Sequence, residues 1–189
     1  VLRVGRRIVI RPTWRRHRRE PGDVILALDP GMAFGTGLHP TTRLCLAALE
    51  SLADRGVLGA GGPDGGPARV LDVGSGSGIL SIAAAKLGAR EVLAVDVDPI
   101  AVDASASNAR RNRLAKVIRS REGSAPSGEG PFDVVLANLI ASLLINLRGS
   151  AQAKIDPPSL GPALVRALPS LLLIIIVLAL AFGYFVNAL

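Results

Sequence analysis

The stretch Val70-Leu71-Asp72-Val73-Gly74-Ser75-Gly76-Ser77-Gly78 decides the fold. Val, Leu and Val around one Asp read as a short buried strand, and the alternating glycines after it read as a tight loop that opens a helix. Glycine lacks a Cβ, so such a loop lets the backbone approach a ligand closely. In an open parallel sheet the ligand crevice lies beyond the carboxyl ends of the strands. Gly74, Gly76 and Gly78 are therefore candidate cofactor-binding residues. Their spacing is G-x-G-x-G, whereas a dinucleotide fingerprint needs G-x-G-x-x-G, and Ile79 stands where the third glycine would fall. This spacing argues against NAD.

Downstream, the pattern predicts a helix over Gly78 to Leu87, a strand over Glu91 to Asp96 and a helix over Pro99 to Asn112. A less regular strand follows near Lys116 to Arg121, then a strand over Phe132 to Ala137. Strands alternating with helices at this spacing imply an α/β, Rossmann-like parallel sheet with helices on both faces. Right-handed crossovers gather the loop ends on one side. Asp96 ends the second strand of this series, where a carboxylate can accept both hydroxyls of a ribose. Asp98, just before Pro99, reads as a helix cap. Asp72 admits two readings, a ligand-side carboxylate or a structural group that ties down loop amides. Asn138, at the mouth of the crevice, offers an amide donor and a carbonyl acceptor that could orient a reacting amine. A strand-end turn is the alternative for this Asn.

Upstream, a strand over Arg6 to Arg11 is stopped by Pro12, and a second over Val24 to Leu28 follows the Pro21-Gly22 turn. Asp29 to Thr42 carries three glycines and two prolines and reads as a structured loop, with Thr41 or Thr42 capping a helix to about Ala53. His39, alone beside Pro40, reads as a hydrogen-bonding structural residue rather than a base. Gly56 to Pro67 holds six glycines and two prolines and is expected to be a flexible connection with no core to offer. The organisation that results is a basic arm, short strands and glycine-rich loop over 1–55, a linker over 56–68 and a ligand-binding core over 69–148. A second linker over 149–166 and an apolar segment over 167–189 complete it.

The net charge of +7 is concentrated at the start: Arg3, Arg6, Arg7, Arg11, Arg15, Arg16, Arg18 and Arg19 all precede the first acid, Glu20, and the remainder sums to −1. Such an arm can meet RNA phosphates, or it can be a solvated surface. The single Cys45 permits no internal disulfide, and no Cys/His set has metal spacing, so a reducing cytoplasm and no metal are expected. The mean hydropathy of +0.42 reflects a surplus after Ala167, where 23 residues carry no charge. That length suffices to cross a bilayer as a helix, with Arg166 holding the preceding part on the cytoplasmic side. The alternative is a buried terminal strand or helix.

Four ordered blocks, LDPGMAFGTGLHPTT (28–42), VLDVGSGSGILSIAAAKLGA (70–89), VLAVDVDPIAVDASASNARRN (92–112) and FDVVLANLIA (132–141), together resemble the bacterial PrmA family. These are class I S-adenosylmethionine-dependent methyltransferases of large-subunit ribosomal protein eleven, and the resemblance covers about Arg6 to Leu147. It implies S-adenosyl-L-methionine as cofactor, bound by Thr42, Gly74, Asp96 and Asn138, with Asn138 near the methyl-transfer centre. It implies a ribosomal protein as partner, with lysine ε-amino or N-terminal α-amino groups as acceptors. Ser75 stands where many relatives have Cys. Against the family pattern, the chain is expected to lack the N-terminal substrate domain and its sheet to end after the fourth strand, followed by an apolar helix. The second reading is thus an inactive, membrane-associated remnant that retains an adenosine-type pocket.

Overall fold

The computed structural model describes residues 1–29, 39–60, 65–124, 129 and 131–138. The expected apolar helix over 167–189, the linker over 149–166 and the end of the core after Asn138 lie outside these residues. Among the described residues, no helix is long and apolar enough to cross a membrane.

Among the described residues, seven strands form two sheets. β1 (Leu2–Val4), β2 (Ile8–Pro12) and β3 (Val24–Leu28) make a small sheet in the order β1-β2-β3. After α1 (Pro40–Asp54), β4 (Arg69–Val73), α2 (Ile79–Lys86), β5 (Glu91–Asp96), α3 (Pro99–Arg111), β6 (Ile118–Glu122) and β7 (Val134–Ala137) build an all-parallel sheet in the order β6-β5-β4-β7. The α/β Rossmann-like expectation holds. Every strand of the series that begins at Val70 lies within a residue or two of its expected range.

The main sheet alternates between two apolar clusters because successive side chains point to opposite faces. Val70, Val92, Ala94, Val134 and Leu136 join a large core with residues of all three helices and the small sheet. Leu71, Val73, Leu93 and Val95 form a second cluster with Phe132, Val135 and Ala137. The expectation of helices on both faces extends to residues after Asn138, which lie outside the described ones. Among the described residues, α1, α2 and α3 all feed the first cluster. The reason is topological. Two successive right-handed crossovers, β4-α2-β5 and β5-α3-β6, step in one direction and put both helices on one face. The connection that returns from β6 to β7 contains no described helix.

α2 is buried almost all round, from Ile79 to Ala84, because it contacts β4 and β5 as well as β3 of the small sheet. Its three consecutive alanines permit that close approach. The basic start of the chain carries the strands expected of it. Residues 2–28 are a folded layer, and three of its arginines are neutralised internally: Arg3 by Glu20 and Asp23, Arg6 by Asp54, and Arg7 by Asp54 and Glu50. Buried Glu50 accepts the backbone N–H of Arg6 at 2.8 Å and of Arg7 at 2.6 Å, which clamps the β1–β2 turn onto α1. Gly5 (φ +64°) leads into that turn, and a Cβ there would lie 2.3 Å from Glu50 Oε2.

The expected linker needs correction. Leu58 is fully buried in the main core and its carbonyl accepts the N–H of Ala68, so residues 56–60 are docked rather than free. Burying one such side chain contributes about 2 kcal/mol. Gly56 (φ +79°) starts this by ending α1 with a pair of reverse bonds, Val57 N–H to Leu52 O at 3.0 Å and Gly56 N–H to Ala53 O at 2.9 Å. Gly88 ends α2 in the same way, whereas α3 ends on Arg113, a non-glycine residue at φ +61°.

Candidate functional site

Three strand ends converge at the carboxyl edge of the main sheet: Gly74 after β4, Asp96 closing β5, and Asn138 after β7. The chain order reverses between β4 and β7, the place where open α/β sheets bind ligands. The glycine loop is held by its neighbours. The N–H groups of Gly74 and Ser75 donate to Val95 O at 2.8 and 3.1 Å, Gly76 N–H donates to Asp96 Oδ2 at 2.8 Å, and Gly78 N–H donates to Ser75 O at 2.8 Å. A pyrophosphate-binding loop needs such amides free to point at the ligand. With them engaged, this loop suits a ligand without phosphate, in agreement with the glycine spacing.

The three glycines, all at positive φ, divide their work. A Cβ on Gly78 would lie 2.7 Å from Ser105 Oγ and 3.1 Å from Ser105 Cα, so this glycine admits α3 against the loop. Gly78 was expected to face the ligand, and its close neighbour here is Ser105. Between Gly74 and Gly76, Ser75 is 6% exposed and its hydroxyl has no hydrogen-bond partner among the described residues.

Asp72 follows the structural of its two readings in the contacts it makes. It is 1% exposed and accepts both the N–H (3.1 Å) and the hydroxyl (2.6 Å) of Ser81, at the third position of α2. Gly78, the N-cap, has no side chain to do this, so the strand supplies the cap. Burial pushes the Asp72 carboxyl up to about 6; the Ser81 bonds oppose this and the nearby Asp96 charge adds to it. Asp96 itself is half-buried, its Oδ1 accepting Asp98 N–H at 3.1 Å while Oδ2 holds Gly76. Asp98 caps α3 as expected, accepting Ile100 N–H at 2.9 Å. Val97 and Ile100 expose apolar surface beside Asp96.

Neither Thr41 nor Thr42 caps α1. His39 does, its Nδ1 accepting Thr41 N–H, with Pro40 at the first helical position. His39 is structural, as expected. Thr42 is then buried one position further in, and its Oγ1 accepts a hydrogen bond of 3.0 Å from Asn138 Nδ2. The Asn138 amide is thereby oriented, with Oδ1 as its remaining acceptor.

Two residues that the sequence reading passed over hold the site to the small sheet. Asn108 on α3 is 1% exposed; its Nδ2 donates to Ser77 O at 3.0 Å and its Oδ1 accepts Asp29 N–H at 3.1 Å. One amide thus ties the glycine loop to the start of the 29–42 stretch. One turn on, Asn112 grips both backbone groups of Ala27. Two Asn four residues apart on a helix face otherwise lined by small residues were the available signal.

The sequence profile of the family described as "Ribosomal protein L11 methyltransferase (PrmA)" matches residues 2–160. The chain belongs to the PrmA family. It is 47% identical over 156 residues to a protein of that name from Geobacter sp. (strain M21), covering 82% of this chain and 49% of the relative. Against the homologue from Chloroflexus aurantiacus the identity is 45% over 185 residues, with 85% and 53% covered. The chain spans about half the length of the curated relatives it matches. A crystal structure of ribosomal protein L11 methylase from Lactobacillus delbrueckii subsp. bulgaricus superposes with a TM-score of 0.62 at 31% identity, covering 89% of this chain and 86% of that one. The PrmA match begins within β1, so it includes the small sheet.

Proposed function

We propose that this PrmA-family chain carries the S-adenosyl-L-methionine site of a protein N-methyltransferase that acts on lysine ε-amino or N-terminal α-amino groups of a ribosomal protein. The observation that carries the reading is the Asn138–Thr42 hydrogen bond, which fixes an amide at the crevice mouth with its carbonyl oxygen available. The residues present fit the cofactor. Asp96 offers a ribose its remaining lone pairs, and Gly74 and Gly76 keep the loop close. The Ser75 hydroxyl, unpartnered among the described residues, offers a buried polar contact, and Val97 and Ile100 offer apolar surface to a base. Asp72 supports the loop from beneath through Ser81.

When bound, S-adenosyl-L-methionine supplies a methyl group on a sulfonium, already a good leaving group. The chain's residues therefore need only bind, align and exclude water. With the cofactor bound, Asn138 Oδ1 would accept a hydrogen bond from the incoming neutral amine and so orient the lone pair on its nitrogen. No dedicated acid or base is required for that step. The reading places the protein in the cytoplasm, where ribosomal proteins are made. The phosphate contact expected from residues 1–19 is narrowed to those arginines that the fold leaves unneutralised.

Calorimetric titration with S-adenosyl-L-methionine, followed by a radiolabelled methyl assay on ribosomal proteins, tests the proposal. Asp96→Ala should weaken binding by about 1.5–3 kcal/mol, since it removes charge-assisted bonds and frees Gly76 N–H. Unchanged affinity would remove the ribose assignment. Binding without transfer would favour a retained pocket in an inactive chain.

A further inference from the structure

β2 and β3 are parallel and adjacent, so the chain must travel back along the sheet between them, and it does so as an irregular loop over residues 13–23. The loop is pinned at both ends. Arg15 N–H donates to Pro12 O at 3.0 Å and Arg11 Nη1 to Arg15 O at 2.8 Å. At the other end, buried Asp23 takes the N–H of Glu20 and the ring of His17, both at 2.9 Å, and pairs with Arg3. Between these anchors Arg15, Arg16, Arg18 and Arg19 are exposed, and none forms an ion pair among the described residues. Trp14 is 64% exposed among them.

The positive field extends into the fold. Half-buried Lys86 donates to Ile25 O at 2.5 Å, and its ammonium is held below the usual lysine range by burial and then by the charges of Arg19 and Arg11. An anion over this edge would relieve that repulsion. A pinned loop also loses little entropy on binding.

We propose that the 13–23 loop is a docking surface for single-stranded RNA, with Arg15, Arg16, Arg18 and Arg19 on phosphates and Trp14 stacked on an unpaired base. Arginine forks match phosphate oxygens, and an exposed indole gives any base a stacking platform. A lipid surface fits less well, because insertion needs a face of several apolar side chains and Trp14 is the one large apolar residue exposed on this loop. A duplex fits less well because its bases are already stacked. This docking is independent of the methyl-transfer reading and is tested without cofactor.

Trp14 is the only tryptophan in the chain, so its fluorescence reports on this loop alone. An oligoadenylate of about 12 nucleotides should quench it, with affinity falling steeply as salt rises. Replacing Arg15, Arg16, Arg18 and Arg19 with Gln removes four phosphate contacts. From about 50 to 200 mM salt, wild-type affinity should then fall about 50-fold more than the variant's. Labelled-RNA anisotropy on Trp14→Leu should show weaker binding with an unchanged salt slope. Far-UV circular dichroism of each variant controls for folding; the pair Arg15→Gln and Arg16→Gln, which should lose half the slope difference, replaces the quadruple change if that one misfolds. Equal salt slopes for wild type and variant would overturn the proposal. So would absent quenching, or a Trp14 blue shift on phosphatidylserine vesicles without any response to RNA.

Discussion

Asn138 and Thr42, 96 residues apart, meet through a hydrogen bond of 3.0 Å that joins the end of β7 to the first turn of α1. The buried hydroxyl decides which way the amide faces. Thr42→Val keeps the shape and removes the acceptor, which should weaken S-adenosyl-L-methionine binding by about 1 kcal/mol, the net value of one hydrogen bond, and lower turnover further. Thr42→Ser should restore both. Calorimetry and a single-turnover methyl assay read these effects; a Val variant as good as wild type would deny the hydroxyl any orienting role.

Gly78 should be needed for the fold rather than for ligand space. Gly78→Ala should cost about 2–5 kcal/mol, the sum of a left-handed backbone penalty and overpacking against Ser105. Gly22 also has positive φ but nothing within 4 Å of a Cβ. Gly22→Ala should therefore cost only about 1–2 kcal/mol. Equal losses in urea denaturation would show that crowding at Ser105 contributes nothing.

Asn108→Ala removes the hydrogen bonds to Ser77 O and from Asp29 N–H and should destabilise the chain by about 2–3 kcal/mol. Because Ser77 belongs to the glycine loop, cofactor affinity should fall as well. Asn108→Asp keeps the acceptor for Asp29 but sets a buried carboxylate oxygen against Ser77 O, so it should cost at least as much as Ala. If stability drops while affinity holds, Asn108 supports the core without positioning the site.

Two carboxylates should shape acid stability in opposite directions. Asp72 is pushed up to about 6, so the folded chain holds its proton where the unfolded chain has lost it. Stability should rise as pH falls from about 6 toward 4, and Asp72→Asn should flatten that limb. Asp23 is drawn down to about 2, first by the Glu20 N–H, then by His17 and Arg3. Its contribution is present above about 4 and is lost as pH falls toward 2; Asp23→Asn should remove that second limb. Denaturation midpoints from pH 2 to 7 for the wild type and the two variants check both signs.

Much of this was written in the order of residues. Alternating strands and helices after Arg69 required a parallel sheet, the G-x-G-x-G spacing set the loop apart from a dinucleotide site, and Asp96 and Asn138 fell at strand ends because a strand's length fixes where it stops. Gly56 and Gly88 announced two helix ends, since the reverse bonds there need a left-handed residue. These are local properties, governed by neighbours within a few positions.

What only the tertiary structure decided are relationships between distant segments. Eight early arginines looked alike along the chain, yet Asp23, Glu50 and Asp54 neutralise three of them from other elements and leave four on one loop. The Gly56–Pro67 stretch looked like a free linker, but Leu58 has a hole in the core to fill. In the opening loop, Gly78 proved to face Ser105, a partner 27 positions away. Sequence spacing fixes which backbone conformations are available, whereas the space and the partners at each position are set by what packs there.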